Sequence, residues 1–411
     1  MQSVHMNKTT QQSEASRVLW LSTLGFTLMF AVWLMFGVLG IPIRKELGLT
    51  DLQMSWLTSV AVLNGAIWRL YFGILTDRIG GRNVFPWMLL LTAIPTALVA
   101  FTHSYVLLLV LAFMIGMAGN SFSVGIAWNS AWNSKEHQGF ALGVFGAGNV
   151  GASVTKLVAP TLIALLPAAG FLGGVIPGGW RFIPIMYAVL LVVMALCMWA
   201  FGPKQDRMPG QGRPMSEILK PLREVRVWRF SLYYVVVFGA YVALSAWLPK
   251  YYVDVYGLDL KHAALLTTIF IFPASLLRPL GGFLSDKFGP RVVMKLMFAL
   301  IFIPSVVLSL PVLELPVGTF TALLFVMAVG MGIGKAAVYK YIPQYYPSDV
   351  GAVGGLVGMF GALGGFVLPP LFAVSQSLIG VPEATFMVMS VITLLAALWL
   401  AAVLNKLHAL P

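Results

Sequence analysis

Two arginines stand inside apolar stretches long enough to cross a bilayer, and each opens the same phrase. The first is Arg69-Leu-Tyr-Phe-Gly73-Ile-Leu-Thr-Asp77-Arg78-Ile-Gly80-Gly81-Arg82, and the second is Arg278-Pro-Leu-Gly-Gly282-Phe-Leu-Ser-Asp286-Lys287-Phe-Gly289-Pro290-Arg291. Matched positions lie 209 residues apart from end to end, with no gap. The chain therefore reads as a duplication in which each half holds a cation at one depth of a membrane helix.

Composition supports that solvent. With 59% hydrophobic and 10% charged residues and a mean hydropathy of +0.89 over 411 residues, an all-α integral membrane protein is expected rather than a water-soluble domain. Apolar stretches of roughly 20 residues, enough for about 30 Å of hydrocarbon, recur about twelve times. They fall near 18–41, 51–76, 84–103, 105–131, 138–166, 180–202, 228–252, 262–285, 291–311, 316–342, 350–378 and 383–405.

The long polar stretch after Gly202 carries Pro203, Pro209, Gly210, Gly212 and seven basic residues between Lys204 and Arg229. It divides the chain into a tail over 1–17, a six-helix bundle over 18–202, a central loop over 203–227, a second bundle over 228–405 and a tail over 406–411. With Met1 inside, 17 of the 26 Lys and Arg fall on the cytoplasmic side. Five fall outside (Arg44, Lys45, Arg181, Lys250, Lys261) and four within helices. The positive-inside rule then places both termini and the central loop in the cytoplasm, and short loops suit a bacterial cytoplasmic (inner) membrane.

This bias explains the net charge of +12 as attraction to anionic headgroups, so no nucleic-acid partner is expected. The first apolar run is longer than a signal-peptide core and lacks a cleavage pattern. Cys197 is alone and forms neither an internal disulfide nor a thiolate metal site. No metal-ligand cluster, nucleophile triad or phosphate-binding loop stands out, so neither an enzyme nor a cofactor is expected. The five histidines (His5, His103, His137, His262, His408) avoid mid-helix positions, which disfavours a histidine proton relay.

In the repeated phrase, Gly73 allows a second helix to approach closely, and Asp77 and Arg82 can pair across the turn or cap a neighbouring helix end. The pattern Gly73, Asp77, Arg78, Gly80, Gly81, Arg82 resembles the signature between helices 2 and 3 of the major facilitator superfamily. The copy with Gly282, Asp286, Lys287 and Arg291 is its weaker second-half version. That resemblance implies the major facilitator fold: twelve transmembrane helices in two six-helix bundles, alternating access to a mid-membrane site, and a gating role for the motif.

Arg69 and Arg278 each lie eight residues before the motif aspartate, about 12 Å along a helix. A charge at that depth costs at least about 2.5–3.5 kcal/mol, and is a functional-site hypothesis by default. All 14 Asp and Glu fall in loops, tails or helix ends, so no buried carboxylate is expected as a partner. The counter-ion is then expected to be the substrate, a small anion held by two guanidinium forks; snorkelling to the headgroups is the bland alternative.

Two glycine runs narrow the anion. The fifth span contains Gly143-Val-Phe145-Gly146-Ala-Gly148-Asn149-Val-Gly151 and the eleventh contains Gly354-Gly355-Leu-Val-Gly358-Met-Phe360-Gly361. Aligning Phe145 with Phe360, at an offset of 215, matches the following Gly-Ala pairs. With the arginine pair, the stretch from Gly148 to Pro160 and the run from Val353 to Pro370 resemble the two signature segments of the nitrate and nitrite porter family. The resemblance implies nitrate or nitrite as substrate. It also implies Arg69, Arg278, Asn149, Tyr234, Gly148 and Gly361 as substrate-binding residues, with Phe36, Phe122 and Phe238 as apolar walls.

Arginine keeps its charge, so an empty site with two arginines returns at high electrostatic cost and favours exchange. Lysine can give up its charge inside a protein. Lys156, where exchanger-type members of the family tend to carry glutamine, and Lys335 are therefore candidates for proton coupling; the alternatives are a vestibule lining for Lys156 and a snorkelling chain for Lys335. Nitrate/proton symport serving assimilation is the first reading and nitrate/nitrite antiport the second. A porter of phosphorylated anions and a passive anion channel are less favoured, the latter because the motif belongs to an alternating machine. A monomer is expected.

A reporter active only in the cytoplasm should be active when fused after Pro209 or at the C-terminus and silent when fused after Gly257. The reverse pattern would invert the topology.

Overall fold

A computed structural model describes residues 8–408, with the side chains of residues 8, 9, 51, 52, 55, 156, 157, 160, 260, 261 and 406–408 outside the description. Regular structure among the described residues is helical, apart from one antiparallel bridge between Phe171 and Ile176. Ten helices are long and apolar enough to cross a membrane, and the bent pair Trp56–Ile67 and Arg69–Ile79 makes an eleventh. The twelfth expected span, near 138–166, is helical but interrupted. Gln138–Gly146 and Gly151–Leu165 are joined by a 3-10 turn over Ala147–Val150, so neither piece alone has the length of a span. Glycine in a helix interior adds backbone freedom and removes side-chain packing, which accounts for the tighter turn at this place.

Helix ends follow local chemistry. Thr50 and Gln53 form a reciprocal capping box at the start of Asp51–Ile67, and Ser104 caps Tyr105–Ile115. Gly48 and Gly257 close Phe36–Leu47 and Ala240–Tyr256 in left-handed conformation.

The duplication seen in the sequence is repeated in the backbone. Trp68 (φ −92°, ψ 1°) breaks the helix just before Arg69, and Leu277 (φ −83°, ψ 1°) breaks it just before Arg278. The first break bends the chain by 41°. Both motif helices, Arg69–Ile79 and Arg278–Phe288, end on a glycine of positive φ: Gly80 at 85° and Gly289 at 82°. Each of these pairs keeps the 209-residue offset. Pro279 cannot donate to the carbonyl four residues back, which explains the second break; no residue type explains the first.

The chain forms two compact units. One comprises Met1–Ser134, Val144–Ile218 and Pro347–Gly355, and the other Lys135–Gly143, Leu219–Tyr346 and Leu356–Pro411. Each unit thus includes the foot of a helix whose continuation belongs to the other. In the first unit the rings of Phe26, Phe122 and Phe145 pack at 4.7–5.9 Å between centroids. In the second, Tyr251, Phe320 and Phe386 form a similar aromatic cluster at 5.1–5.6 Å.

The motif helices meet these feet with no room for a side chain. A Cβ on Gly73 would lie 2.0 Å from the Gly351 carbonyl oxygen, and one on Gly282 would lie 2.0 Å from that of Gly139. One turn further along, Gly355 faces the Arg69 carbonyl and Gly143 faces that of Arg278. Overpacking of this kind costs about 1–3 kcal/mol or more. Gly73→Ala and Gly282→Ala should therefore each lower the melting temperature of the purified protein clearly, whereas Gly37→Ala, where nothing lies within 4 Å, should leave it within error.

Candidate functional site

The motif carboxylates cap helix N-termini. Asp77 Oδ2 accepts from the Gly351 N–H at 2.7 Å, at the start of Val350–Ile379. Asp286 accepts from the Gly139 N–H at 2.9 Å and the Phe140 N–H at 2.8 Å, at the start of Gln138–Gly146. The expectation that no carboxylate is buried is therefore corrected: Asp77 is 2% exposed, and the Asp286 side chain 8%. Burial is tolerated because unpaired N–H groups and the positive end of the helix dipole face the charge.

The two copies differ in what else they hold. Asp286 also pairs with the Lys340 amine at 2.6 Å, and that amine donates to the Lys135 carbonyl. Asp77 Oδ1 is buried without a hydrogen-bond partner among the described residues. Arg82 caps a helix end, donating at 3.1 Å to both the Trp199 and Lys204 carbonyls beside the end of Phe182–Phe201. Arg291 instead donates to the Tyr345 hydroxyl. Arg78 is half-buried.

Asp206 and Lys340 were not singled out by sequence. Asp206 accepts from the Arg82 backbone N–H (2.9 Å), the indole N–H groups of Trp128 (3.0 Å) and Trp132 (2.8 Å), and the Arg207 N–H (2.9 Å). Arg207 lies over the Trp132 ring at 4.6 Å and donates to the Ala131 carbonyl; burial lowers its pKa and the Asp206 charge opposes that shift. Nothing in the sequence sets Asp206 apart from Glu217 and Glu224, the other acidic residues of the central loop.

Arg69 and Arg278 are both fully buried. The Arg69 guanidinium carbon lies 5.6 Å from the Trp33 ring and 5.3 Å from the Phe122 ring, and its Nε donates to the Gly65 carbonyl at 2.8 Å. Gly65 is the residue four before Arg69, whose carbonyl the helix break releases. Its equivalent in the second half, Ala274, has its carbonyl taken by the Lys335 amine at 2.8 Å. That amine sits 3.2 Å from the centre of the Tyr241 ring and 5.6 Å from that of Phe238. Lys335 is fully buried, so it does not snorkel. Glycines bring its helix close: a Cβ on Gly332 would lie 2.4 Å from the Pro273 carbonyl oxygen.

Asn149 sits in the 3-10 turn, 1% exposed, and neither its Nδ2 nor its Oδ1 has a hydrogen-bond partner among the described residues. A buried amide in that condition costs about 1–3 kcal/mol, which suits a group that meets a polar ligand. Gly148 packs on Phe26 and Thr27, and Phe26 in turn packs on Phe122, the ring beneath Arg69. The first unit thus joins Arg69, Phe122 and Gly148. Phe36 stands apart, in an open groove of about 320 Å³ with Gly37, Gly40, Ile41, Arg44, Met54 and Thr58.

In the second unit, Tyr234, Phe238, Gly361 and Lys335 come together. Tyr234 ends Val225–Tyr234 and is followed by a π-helical turn over Val235–Gly239, a feature frequent at functional sites. Its ring stacks on Phe238 at 4.9 Å and meets Tyr339 edge-on at 4.8 Å. A Cβ on Gly361 would lie 2.2 Å from the Tyr234 ring, so this glycine seats the tyrosine. Lys156 lies in Gly151–Leu165, but its side chain is outside the described residues.

The helix feet also revise the alignment of the glycine runs. Gly139 and Gly143 are equivalent in packing to Gly351 and Gly355, an offset of 212 rather than 215. Carried along the helices, this pairs Asn149 with Gly361.

A duplicated bundle of apolar helices with a buried cation opening each motif helix is an integral membrane protein built for transport. The family model described as Major Facilitator Superfamily matches residues 21–266 and 260–409. The probable nitrate/nitrite antiporter NarK1 of Thermus thermophilus is 63% identical over 413 residues, covering 97% of this chain and 93% of the relative. The nitrite extrusion protein of Bacillus subtilis is 32% identical over 355 residues, 86% of each chain. A crystal structure of the major facilitator superfamily transporter FucP in the outward conformation superposes with a TM-score of 0.73, covering 93% of this chain and 99% of that one at 16% identity. The chain belongs to the nitrate/nitrite porter family of the major facilitator superfamily, whose members are transporters and not enzymes.

Removing one partner of a buried ion pair costs about 3–5 kcal/mol because the other charge is left uncompensated. Asp286→Ala should therefore destabilise the protein strongly, and Asp286→Ala/Lys340→Met should recover part of the loss in thermal unfolding. Strictly additive losses would mean that the two side chains act independently.

Proposed function

We propose that the protein exchanges nitrate for nitrite across the cytoplasmic (inner) membrane by alternating access, acting as a monomer with both termini in the cytoplasm. The observation that carries this is the near full-length similarity to the Thermus protein named as a probable nitrate/nitrite antiporter. The burial of an arginine at the same position of each repeat supports it. Arg69 and Arg278 supply the positive charge, Asn149 and Tyr234 supply neutral donors, and Gly148 and Gly361 make room for the rings around them. Phe122 and Phe238 keep water from the anion, and Phe36 lines the outer approach. A planar anion accepts parallel N–H donors from each fork, and its desolvation is offset when each oxygen finds a partner.

Exchange follows from the chemistry of the cations. Arginine cannot shed its charge, so the carrier crosses most easily with an anion aboard in both directions. Gly73, Asp77, Arg78, Arg82, Asp286 and Arg291 form the gate, whose capped helix feet separate and re-form once per half-cycle.

Proton symport, with an assimilatory role, is a second reading, favoured by a fully buried lysine beside the Tyr234–Phe238 stack. Lys335 or Lys156 would be its titrating group. Lys335→Gln separates the readings, because an amide can still donate to the Ala274 carbonyl but cannot carry a proton charge.

The test is nitrate uptake into proteoliposomes. Uptake should require internal nitrite, survive Lys335→Gln in large part, and fall about ten- to a hundredfold in Arg69→Lys and Arg278→Lys, the scale of a lost charge-assisted hydrogen bond. Uptake into nitrite-free liposomes driven by an inward proton gradient would overturn exchange in favour of symport.

A further inference from the structure

The two motif copies are closed by different means. In the second, the Lys340 amine pairs directly with Asp286 at 2.6 Å. In the first, the contacts come from the central loop. The Gly210 N–H donates to the Asp77 carbonyl at 2.9 Å, and a Cβ on Gly210 would lie 3.1 Å from the Asp77 Cβ. Three residues on, the Arg213 guanidinium reaches Asp349 at 2.7 Å and the Ser348 carbonyl at 3.0 Å. Asp349 immediately precedes Val350–Ile379, the helix whose Gly351 N–H is held by Asp77. Asp206, at the other end of the same loop segment, is anchored by Trp128, Trp132 and the Arg82 N–H.

We infer that residues 206–213 of the central loop form a clasp over the first motif, with Arg213 and Asp349 as positioning residues that set how readily the foot of Val350–Ile379 leaves Asp77. The anchored end at Asp206 fixes the loop to the motif's own turn. The other end, at Arg213, then grips the helix foot at Ser348 and Asp349, just ahead of the Gly351 N–H that Asp77 holds. Asp349 at the head of that helix also acts with its dipole, which favours a negative charge there. Arg213 is the counter-charge that ties this acidic end to the loop. The side chains of the pair are only 27% and 13% exposed, so solvent screens the attraction partly and the geometry is held. The clasp presupposes that the motif is a gate, as in the function proposed above; its test needs no substrate.

The foot itself supplies the probe. Ala352 is fully buried beside Gly351 and becomes reactive only when the foot leaves the motif. In a Cys197→Ser background, the rate of maleimide labelling of Ala352→Cys in purified protein reads that opening. Arg213→Glu and Asp349→Arg should each raise the rate about threefold or more, as an ion pair gives way to like charges. The reversed pair Arg213→Glu/Asp349→Arg should return it toward the parent value. Unchanged rates in the single variants would overturn the clasp. So would a double variant that labels as fast as the singles, since loosened local structure rather than the pair would then be responsible. Nitrate exchange measured on the same variants keeps the two ideas apart. A clasp without exchange refutes only the transport reading, and exchange with unaltered labelling refutes only the clasp.

Discussion

The interaction on which the rest of this structure depends is a buried carboxylate set against the first N–H groups of a helix drawn from the opposite half of the sequence. Asp77 does this at Gly351 and Asp286 at Gly139 and Phe140. A carboxylate taken out of water is costly unless it is paired and hydrogen-bonded, and a helix end without acceptors is equally unfavourable. Each deficit answers the other, but only at close range. The glycines of the motif helix and of the helix foot remove the side chains that would hold the two backbones apart. The aspartate and the glycine four residues before it are thus one device.

The same device sets where the arginines stand. Because the motif helix is fixed at its carboxylate end, the break two turns earlier falls at a defined depth, and Arg69 and Arg278 occupy the first position after it. The aromatic surroundings of Arg69 and the tyrosine and phenylalanine around Lys335 hold cations by the faces of rings. Such contacts orient a cation while leaving its net charge in place.

Much of this organisation could be read from the residues. The gapless repeat of charged and glycine positions announces duplication, and the backbone breaks and positive-φ glycines obey the same offset. The helix break before Arg69 could not be read, because Trp68 is an ordinary helix residue. Asp206 and Lys340 were equally hidden. Their partners lie 74–124 residues away for Asp206 and more than fifty for Lys340, with no periodicity connecting them. The fifth span shows the converse difficulty: its glycine run was visible and permits a tighter turn, but it does not say which residues take the 3-10 form. The mismatch between the offsets 215 and 212 has the same origin, since aligning residue types is not aligning contacts.

The broken helices have one more consequence. Each break releases a backbone carbonyl, at Gly65 and at Ala274, and in both halves a cation takes it: Arg69 through its own Nε, Lys335 from a neighbouring helix. A carbonyl dipole can replace a water molecule in the solvation shell of a cation, but it carries no charge with which to cancel it. The two helix breaks thus supply backbone solvation to Arg69 and Lys335, in place of the water each side chain gave up on burial.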